Sequence, residues 1–183
     1  DADMLNESVP MEKPSAPPAI KVLSFDIETR ANTFSEGEIP LWDKKQCSIY
    51  SVAITTHWLG CADALHAHYV LVKPPNFDID QDTLLERTEF THVNIVANEK
   101  ELLHHVCAIF SQEDPVIITG YNMDNYDLPW IIHRAPKKAL KWGKNHFRGV
   151  SIRKKVLDSS GLGKNDTWDT TADGIILFDL YPY

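Results

Sequence analysis

The sequence has 183 residues, of which 43% are hydrophobic and 24% charged, a composition typical of a globular domain with its own core. Its formal net charge of −8 speaks against a nucleic-acid-binding protein that acts through bulk positive charge. No apolar run approaches the roughly 20 residues of a membrane-spanning helix, and the first residues do not resemble a secretory signal. Three cysteines, Cys47, Cys61 and Cys107, lack metal-site spacing and fit a reducing compartment. We therefore expect an intracellular protein with no membrane partner.

Residues 1–19 contain four prolines together with serine and acidic residues, which is typical of a flexible linker or lead-in. We expect one domain over residues 20–183. Its first part holds three apolar segments rich in β-branched residues, IKVLSF (20–25), SIYSVAITTHW (48–58) and HAHYVLV (66–72). This pattern predicts three strands in an antiparallel meander.

A helix is predicted next, because apolar residues recur at helical spacing between residues 102 and 110 and Asn98 fits an N-cap. PVIITG (115–120) predicts a short buried strand, and Pro129 fits an early position in a following helix, LPWIIHRA. FRGVSIR and GIILFDL (174–180) are further strand candidates. A meander, a crossover helix and another strand beside the first predict an α/β fold with a mixed sheet and flanking helices.

The basic residues are unevenly distributed. Ten of the eighteen lie between Arg134 and Lys164, where Asp158 is the only acid. Such a segment is compatible with a surface that tracks nucleic-acid phosphates beside a carboxylate-rich site. A solvated loop of lysines would account for it equally well.

Two carboxylates, Asp26 and Glu28, follow the first predicted strand with one residue between them. On a strand both side chains point to the same face, where they repel each other unless a cation lies between them. Oxygen ligands of this kind suit Mg²⁺ or Mn²⁺. The alternative is a solvated strand end.

The segment GYNMDNYD (120–127) follows another predicted strand. Turn chemistry accounts for Gly120 and Asn125, because glycine and asparagine are common where a strand turns into a helix. It does not account for the Tyr126-Asp127 pair or for the Leu-Pro-Trp-Ile-Ile that follows.

FDIET (25–29) and GYNMDNYDLPWI (120–131), in this order and each after an apolar strand, resemble the first two exonuclease motifs of family B DNA polymerases of the delta-like or large-DNA-virus type. The resemblance implies a ribonuclease H-like fold and a two-metal 3′-to-5′ proofreading exonuclease of the DEDD class. It implies that Mg²⁺ or Mn²⁺ ions are bound by the catalytic residues Asp26, Glu28 and Asp127. It also places three residues at the DNA substrate: Thr29, Asn122 and Tyr126.

The family's third motif, Y-x-x-x-D, does not occur in the 183 residues. The resemblance therefore implies an exonuclease fold that is incomplete at its C-terminal side and inactive, or nearly so, when isolated. Its implied partners are a single-stranded primer 3′ end, the remaining polymerase domains and replication accessory subunits. The implied location is the nucleus in a eukaryote, or the nucleus or a cytoplasmic replication site for a virus. A free-standing DEDD nuclease and a non-cleaving DNA-binding module are the alternatives.

A zinc site is not expected from the eight histidines. His104 and His105 are adjacent on the predicted helix and point about 100° apart. His66 and His68 share a strand face, but no cysteine or acid with suitable spacing joins them.

Trp130, Trp142 and Trp168 could in principle stack on nucleic-acid bases. Trp130 is better explained as a core residue of its helix. Trp142, within the lysine-rich stretch, is the better stacking candidate.

Overall fold

The computed structural model describes residues 19–31, 40–61, 63, 65–75, 80–140, 149–159 and 163–181, with backbone alone at 157–159 and 163–166. The predicted lead-in, apart from Ala19, and Trp142 lie outside these residues. Eight strands and three helices are present in the described part. In chain order they are β1 (Lys21–Ala31), β2 (Cys47–Trp58), β3 (His66–Val72), α1 (Gln81–Arg87), β4 (His92–Val96), α2 (Glu99–Glu113), β5 (Ile117–Gly120), α3 (Asp127–Arg134), β6 (Val150–Ser159), β7 (Gly163–Ala172) and β8 (Ile176–Asp179).

Six of the strands form one mixed sheet in the order β4-β3-β2-β1-β5-β8. Strands β1, β2 and β3 are antiparallel neighbours, as predicted, whereas β4 lies parallel to β3, β5 parallel to β1 and β8 parallel to β5. This order, with helices beside a central mixed sheet, agrees with the ribonuclease H-like fold that the resemblance implies. The parallel strands β1, β5 and β8 bring their carboxyl ends to one edge of the sheet.

The sequence prediction ended β1 too early. The strand continues through Asp26 and Glu28 to Ala31, because it pairs with β2 along its whole length. A β-bulge between Glu28 and Thr29 shifts the register by one residue. The two carboxylates therefore lie within a paired strand rather than at its end.

Helix α2 covers one face of the sheet. Asn98 caps it as predicted, since its side chain accepts a hydrogen bond from the Glu101 backbone N–H. The buried side chains of α2 form one core with those of the sheet, and Phe25 of β1 meets Phe110 edge-on at 5.3 Å between ring centroids. Leu23, Phe25 and Ile27 thus face α2, which leaves the alternate residues of β1 on the other face.

An ion pair joins the N-terminus of α2 to the end of α3. The Arg134 guanidinium donates to both carboxylate oxygens of Glu99, at 2.7 and 2.5 Å, and to the carbonyl oxygen of Trp42 at 2.9 Å. The same carboxylate accepts the Ile49 backbone N–H at 2.8 Å. Such a bidentate, half-buried contact fixes the position of α3 against α2 and β2.

Strands β6 and β7 form a separate two-stranded hairpin. It packs back through Trp168, whose ring lies 5.5 Å from that of His133 and 6.0 Å from that of Trp42. The hydroxyl of Thr167 donates to the Asn125 side-chain oxygen at 2.7 Å. The hairpin is therefore attached to the segment that precedes α3.

The sequence prediction missed α1, β4 and β7. It ended β1 and β6 about six residues too early and found the other elements with small errors at their ends. No helix in the described ranges is long and apolar enough to span a membrane.

Candidate active site

Asp26 and Glu28 are exposed on the same face of β1. Phe25, which precedes Asp26, and Ile27, which lies between the two acids, are buried. This confirms the predicted alternation, because neighbouring strand residues point to opposite faces. The carboxylates thus leave the sheet on the side away from α2.

The segment between β5 and α3 turns sharply, and two of its residues explain why. A Cβ atom at Gly120 would lie 3.0 Å from the Phe25 carbonyl oxygen and 3.1 Å from the Met123 Cβ, so β5 can pass β1 this closely only with glycine. Asn122 adopts φ 58°, in the left-handed region that asparagine tolerates better than most residues. The Asn122 carbonyl then accepts the backbone N–H of Tyr126 at 3.1 Å.

This turn places Asp127 at the start of α3, directly behind the D-x-E motif. Its side chain is 3% exposed, and its Oδ1 accepts the backbone N–H of Ile27 at 3.0 Å. Ile27 lies between Asp26 and Glu28 in the chain, so the hydrogen bond holds Asp127 beside the strand segment that carries the other two carboxylates, a hundred residues away in sequence.

The surroundings of Asp127 disfavour its charged form. Burial raises its pKa to about 7, against the hydrogen bond from Ile27, which lowers it, and the negative charge of Asp26 adds to the increase. No lysine or arginine of the described ranges lies within ion-pair distance of Asp26, Glu28 or Asp127. Within the described ranges, therefore, no ion pair offsets the negative charge of these three carboxylates.

Two further acids belong to this region, and the sequence interpretation missed both. Asp179, at the end of β8, is buried and accepts the backbone N–H groups of Asp124 and Tyr181 at 3.0 and 2.9 Å. Burial and the charge of Asp179 raise the pKa of Asp124 to about 6. The available signal was the same as for the D-x-E motif, an acid that follows a short apolar strand.

Thr29 and Tyr126, both predicted to lie at the substrate, contact each other. Their hydroxyl oxygens are 2.5 Å apart, and the Tyr126 ring is half-buried beside Trp130. Burial raises the pKa of Tyr126, and the hydrogen bond with Thr29 opposes that shift. This hydrogen bond links the residue before Asp127 to the residue after Glu28.

The carboxylates fit a divalent cation. Asp26, Glu28 and Asp127 offer only oxygen donors, the type that Mg²⁺ and Mn²⁺ prefer, and a cation would offset the repulsion that raises the pKa of Asp127. In addition, Asp124 has a buried side-chain oxygen, Oδ1, without a hydrogen-bond partner within the described part of the chain.

The basic segment is only partly free to contact a nucleic acid. Arg134 is held by Glu99 and is mostly buried, so its guanidinium serves the fold. Arg153 pairs with Asp169 across the hairpin at 2.6 Å, but its side chain is 78% exposed. Lys137 and Lys138, just beyond α3, are also exposed. Among the described residues, the alternatives of a phosphate-tracking surface and a solvated loop therefore apply to these lysines and to Arg153 rather than to Arg134.

The tryptophan interpretation is confirmed for Trp130, which is 1% exposed in the core. Trp168 packs against His133 and Trp42 and is thus part of the hairpin's attachment.

The interpretation of the histidines is wrong on one point. An acid does join His66 and His68, namely Glu113 at the end of α2, whose Oε1 lies 2.9 Å from Nδ1 of His66 and 3.4 Å from Nε2 of His68. Sequence spacing did not reveal it, because Glu113 lies more than forty residues away.

A family model described as the exonuclease domain of DNA polymerase family B matches residues 2–183. Among curated proteins, the chain is 28% identical over 167 residues to a DNA polymerase of Thermococcus litoralis, which covers 89% of the chain and 8% of that polymerase. It is 34% identical over 87 residues to the DNA polymerase delta catalytic subunit of Caenorhabditis elegans, which covers 45% of the chain and 8% of that subunit. The matched part of the chain thus spans less than a tenth of the length of either relative.

Proposed function

Because this chain belongs to the exonuclease domain family of the family B DNA polymerases, we propose that it is the 3′-to-5′ proofreading module of such a polymerase. The observation that supports the proposal is the hydrogen bond from the Ile27 N–H to the buried Asp127 carboxylate, because Ile27 is the residue between Asp26 and Glu28. Both relatives described above are named as DNA polymerases, which favours a polymerase module over a free-standing nuclease.

In this proposal Asp26, Glu28 and Asp127 bind two divalent cations, Mg²⁺ or Mn²⁺. Cations held by these residues would supply an activated water and would stabilise the negative charge that develops on the departing 3′ oxygen. The chain's own contribution is position, since Asp127 is held by the Ile27 N–H and the Asp26 and Glu28 side chains are fixed to a paired strand.

The substrate is the single-stranded 3′ end of a DNA primer. Asn122 has its side-chain oxygen engaged by Asn125 at 3.3 Å, which leaves its Nδ2 to donate to the DNA end. The hydrogen bond between Thr29 and Tyr126 orients the tyrosine ring below the site, and the exposed Lys137 and Lys138 attract phosphates.

The 183 residues contain no Y-x-x-x-D motif, which in the family supplies a further metal ligand and a tyrosine. We therefore propose that the isolated chain cleaves DNA slowly or not at all, and that the remaining domains of the polymerase complete the site. Its place of action is then the site of DNA replication, the nucleus of a eukaryotic cell or a viral replication site, where accessory subunits of the replication machinery are expected partners.

The test uses the complete polymerase that carries this chain. Release of mononucleotides from a 3′-labelled single strand is measured with Mg²⁺ or Mn²⁺, for the wild type and for Asp26→Ala. We expect the variant to lose at least about 100-fold in cleavage rate, because an electrostatic contribution to the transition state disappears. DNA synthesis by the same preparation is the control and should be unchanged.

Two outcomes would contradict the proposal. A complete polymerase that binds single-stranded DNA without releasing nucleotides would identify a non-cleaving module. Cleavage that persists in Asp26→Ala would show that the carboxylates are assigned wrongly.

A further inference from the structure

A cluster of nitrogen and oxygen donors lies at the opposite end of the sheet from the carboxylates. His66 and His68 are two residues apart on β3 and share a face, and Glu113 is the last residue of α2. Donor atoms of all three residues lie within 4.8 Å of one another. The side chains of His68 and Glu113 are about nine-tenths buried, whereas that of His66 is 40% exposed.

The cluster is separate from the candidate active site. Lys21, which contacts Glu113, begins β1 five residues before Asp26, a distance of about 16 Å along a strand. It also faces α2, while Asp26 and Glu28 point away from α2. An ion bound here would touch neither the DNA nor the active-site carboxylates.

We propose that His66, His68 and Glu113 form a binding site for a single transition-metal ion of the zinc class, with the fourth position open to solvent. Two imidazoles and one carboxylate are a common protein ligand set for Zn²⁺, with water as the fourth ligand. The hard cations of the active site prefer oxygen donors alone, so the two sites should select different metals.

The distances are close to those that a bound ion requires. Metal bonds of about 2.1 Å in a tetrahedron place donor atoms about 3.4 Å apart. The two imidazole nitrogens lie 2.9 and 3.4 Å from the same carboxylate oxygen, Oε1 of Glu113. Because both rings converge on that oxygen, a small rotation of the exposed His66 ring suffices to close the site.

The surroundings of His68 fix its ring. Burial, followed by the charge of the nearby His92, lowers the pKa of His68. The His92 ring stacks on that of His68 at 4.7 Å, and its Nδ1 lies 2.9 Å from the Thr91 hydroxyl. These contacts hold the His68 ring in place.

Lys21 would compete with the metal ion for the Glu113 carboxylate. Its ammonium lies 3.2 Å from Oε2 of Glu113 and helps to keep the pKa of that carboxyl below its usual value, against the effect of burial. The same ammonium is 5.6 Å from the Trp58 ring, beside a cavity of about 240 Å³ that both residues line. Lys21 already lies over this ring, so it keeps a cation–π partner when a metal ion displaces it from Glu113.

The consequence of binding is structural. The ion would join the C-terminal end of α2 to β3, two elements that meet here through the hydrogen bonds of Glu113. Binding to the folded state alone raises its stability. Zinc should therefore raise the melting temperature of the chain without any requirement for DNA.

The test is a titration with Zn²⁺ in excess Mg²⁺, followed by calorimetry, with Co²⁺ as a spectroscopic probe of tetrahedral coordination. His66→Ala removes a ligand that is partly exposed, so the variant should fold, which circular dichroism verifies. His105→Ala on the exposed side of α2 is the matched control. We expect His66→Ala to lower the zinc affinity by more than about tenfold and His105→Ala to leave it unchanged.

The Lys21→Met variant distinguishes a metal-binding site from a cluster that is held together by ion pairs alone. If the metal competes with Lys21 for Glu113, this variant binds Zn²⁺ more tightly than the wild type. Unchanged zinc affinity in His66→Ala, or weaker affinity in Lys21→Met, would overturn the proposal. A zinc affinity that depends on Asp26 and not on His66 would also overturn it, because the ion would then lie at the active-site carboxylates.

Discussion

Replacing Asp127 by asparagine should stabilise the metal-free chain at pH 8. The wild-type carboxylate is 3% exposed and lies near Asp26 without a cation among the described residues. Asparagine has nearly the same shape, and its side-chain oxygen can still accept the Ile27 N–H. The substitution therefore removes the buried charge and keeps the hydrogen bond.

The magnitude follows from the pKa. The pKa of Asp127 is about 7 in the folded state, compared with 3.8 for an ordinary aspartate. This difference sets an upper limit of about 4 kcal/mol on how much the charged carboxylate destabilises the folded chain. The NH₂ group of the asparagine has no assigned hydrogen-bond acceptor, and leaving such a buried donor unpaired costs about 1 to 3 kcal/mol. We expect a net increase in the free energy of unfolding of about 1 to 2 kcal/mol at pH 8.

The sign of the pH dependence is fixed by the raised pKa. Between about pH 4 and pH 7 the folded wild type binds more protons at Asp127 than the unfolded chain, so its stability falls as the pH rises through this window. Asparagine cannot titrate. The advantage of Asp127→Asn should thus be largest at pH 8 and disappear towards pH 4.

The assay is urea unfolding in a chelator at pH 5, 6, 7 and 8, with the exposed Glu86→Gln on α1 as a control for the loss of one negative charge. Adding Mn²⁺ should stabilise the wild type more than Asp127→Asn. The reasoning is refuted if Asp127→Asn is less stable than the wild type at pH 8, or if the difference between them does not change with pH.

Three further substitutions test individual contacts by chemical unfolding. Gly120→Ala should cost about 2 kcal/mol, because its Cβ would lie 3.0 Å from the Phe25 carbonyl oxygen; full stability would show that β5 can shift away from β1. Arg134→Met should cost about 2 kcal/mol, since it leaves the half-buried Glu99 without its cation, and a cost near zero would mean that the ion pair does not hold α3. Tyr126→Phe should cost about 1 kcal/mol through the lost hydrogen bond to the β1 threonine, whereas a stabilised variant would contradict that contact.

Much of the sheet was predictable because its strands carry strong local signals. The runs that become β2 and β3 were found nearly to the residue, and Asn98 was identified as the cap of α2. The end of β1 was not predicted correctly, because the mostly polar residues after Phe25 carry no strand pattern. They are held in an extended conformation by pairing with β2. Tertiary pairing overrode local preference there.

Two of the three missed elements, β7 and α1, have weak sequence patterns. The strand β7 consists of GKNDTWDTTA, which contains few apolar residues, and it forms only because β6 pairs with it. The helix α1 has seven residues and no buried side chain.

The candidate site was predictable in its members and not in its geometry. Motif spacing and family resemblance singled out Asp26, Glu28 and Asp127, whose roles as metal ligands stay a prediction. The contact of Ile27 with Asp127 and the approach of Asp179 depend on parallel strands that meet only in three dimensions. Glu113 beside His66 was unpredictable for the same reason.

The hydrogen bond between Ile27 and Asp127 spans a hundred residues of chain, and this separation has a consequence for synthesis on the ribosome. At about 5 to 20 residues per second, Asp26 and Glu28 emerge roughly 5 to 20 seconds before Asp127. During that interval β1, β2 and β3 can already pair as a local meander, whereas the third carboxylate does not yet exist. The nascent chain can therefore complete this cluster only after β5 has joined the sheet, which delays the cost of bringing like charges together until most of the core is present to offset it.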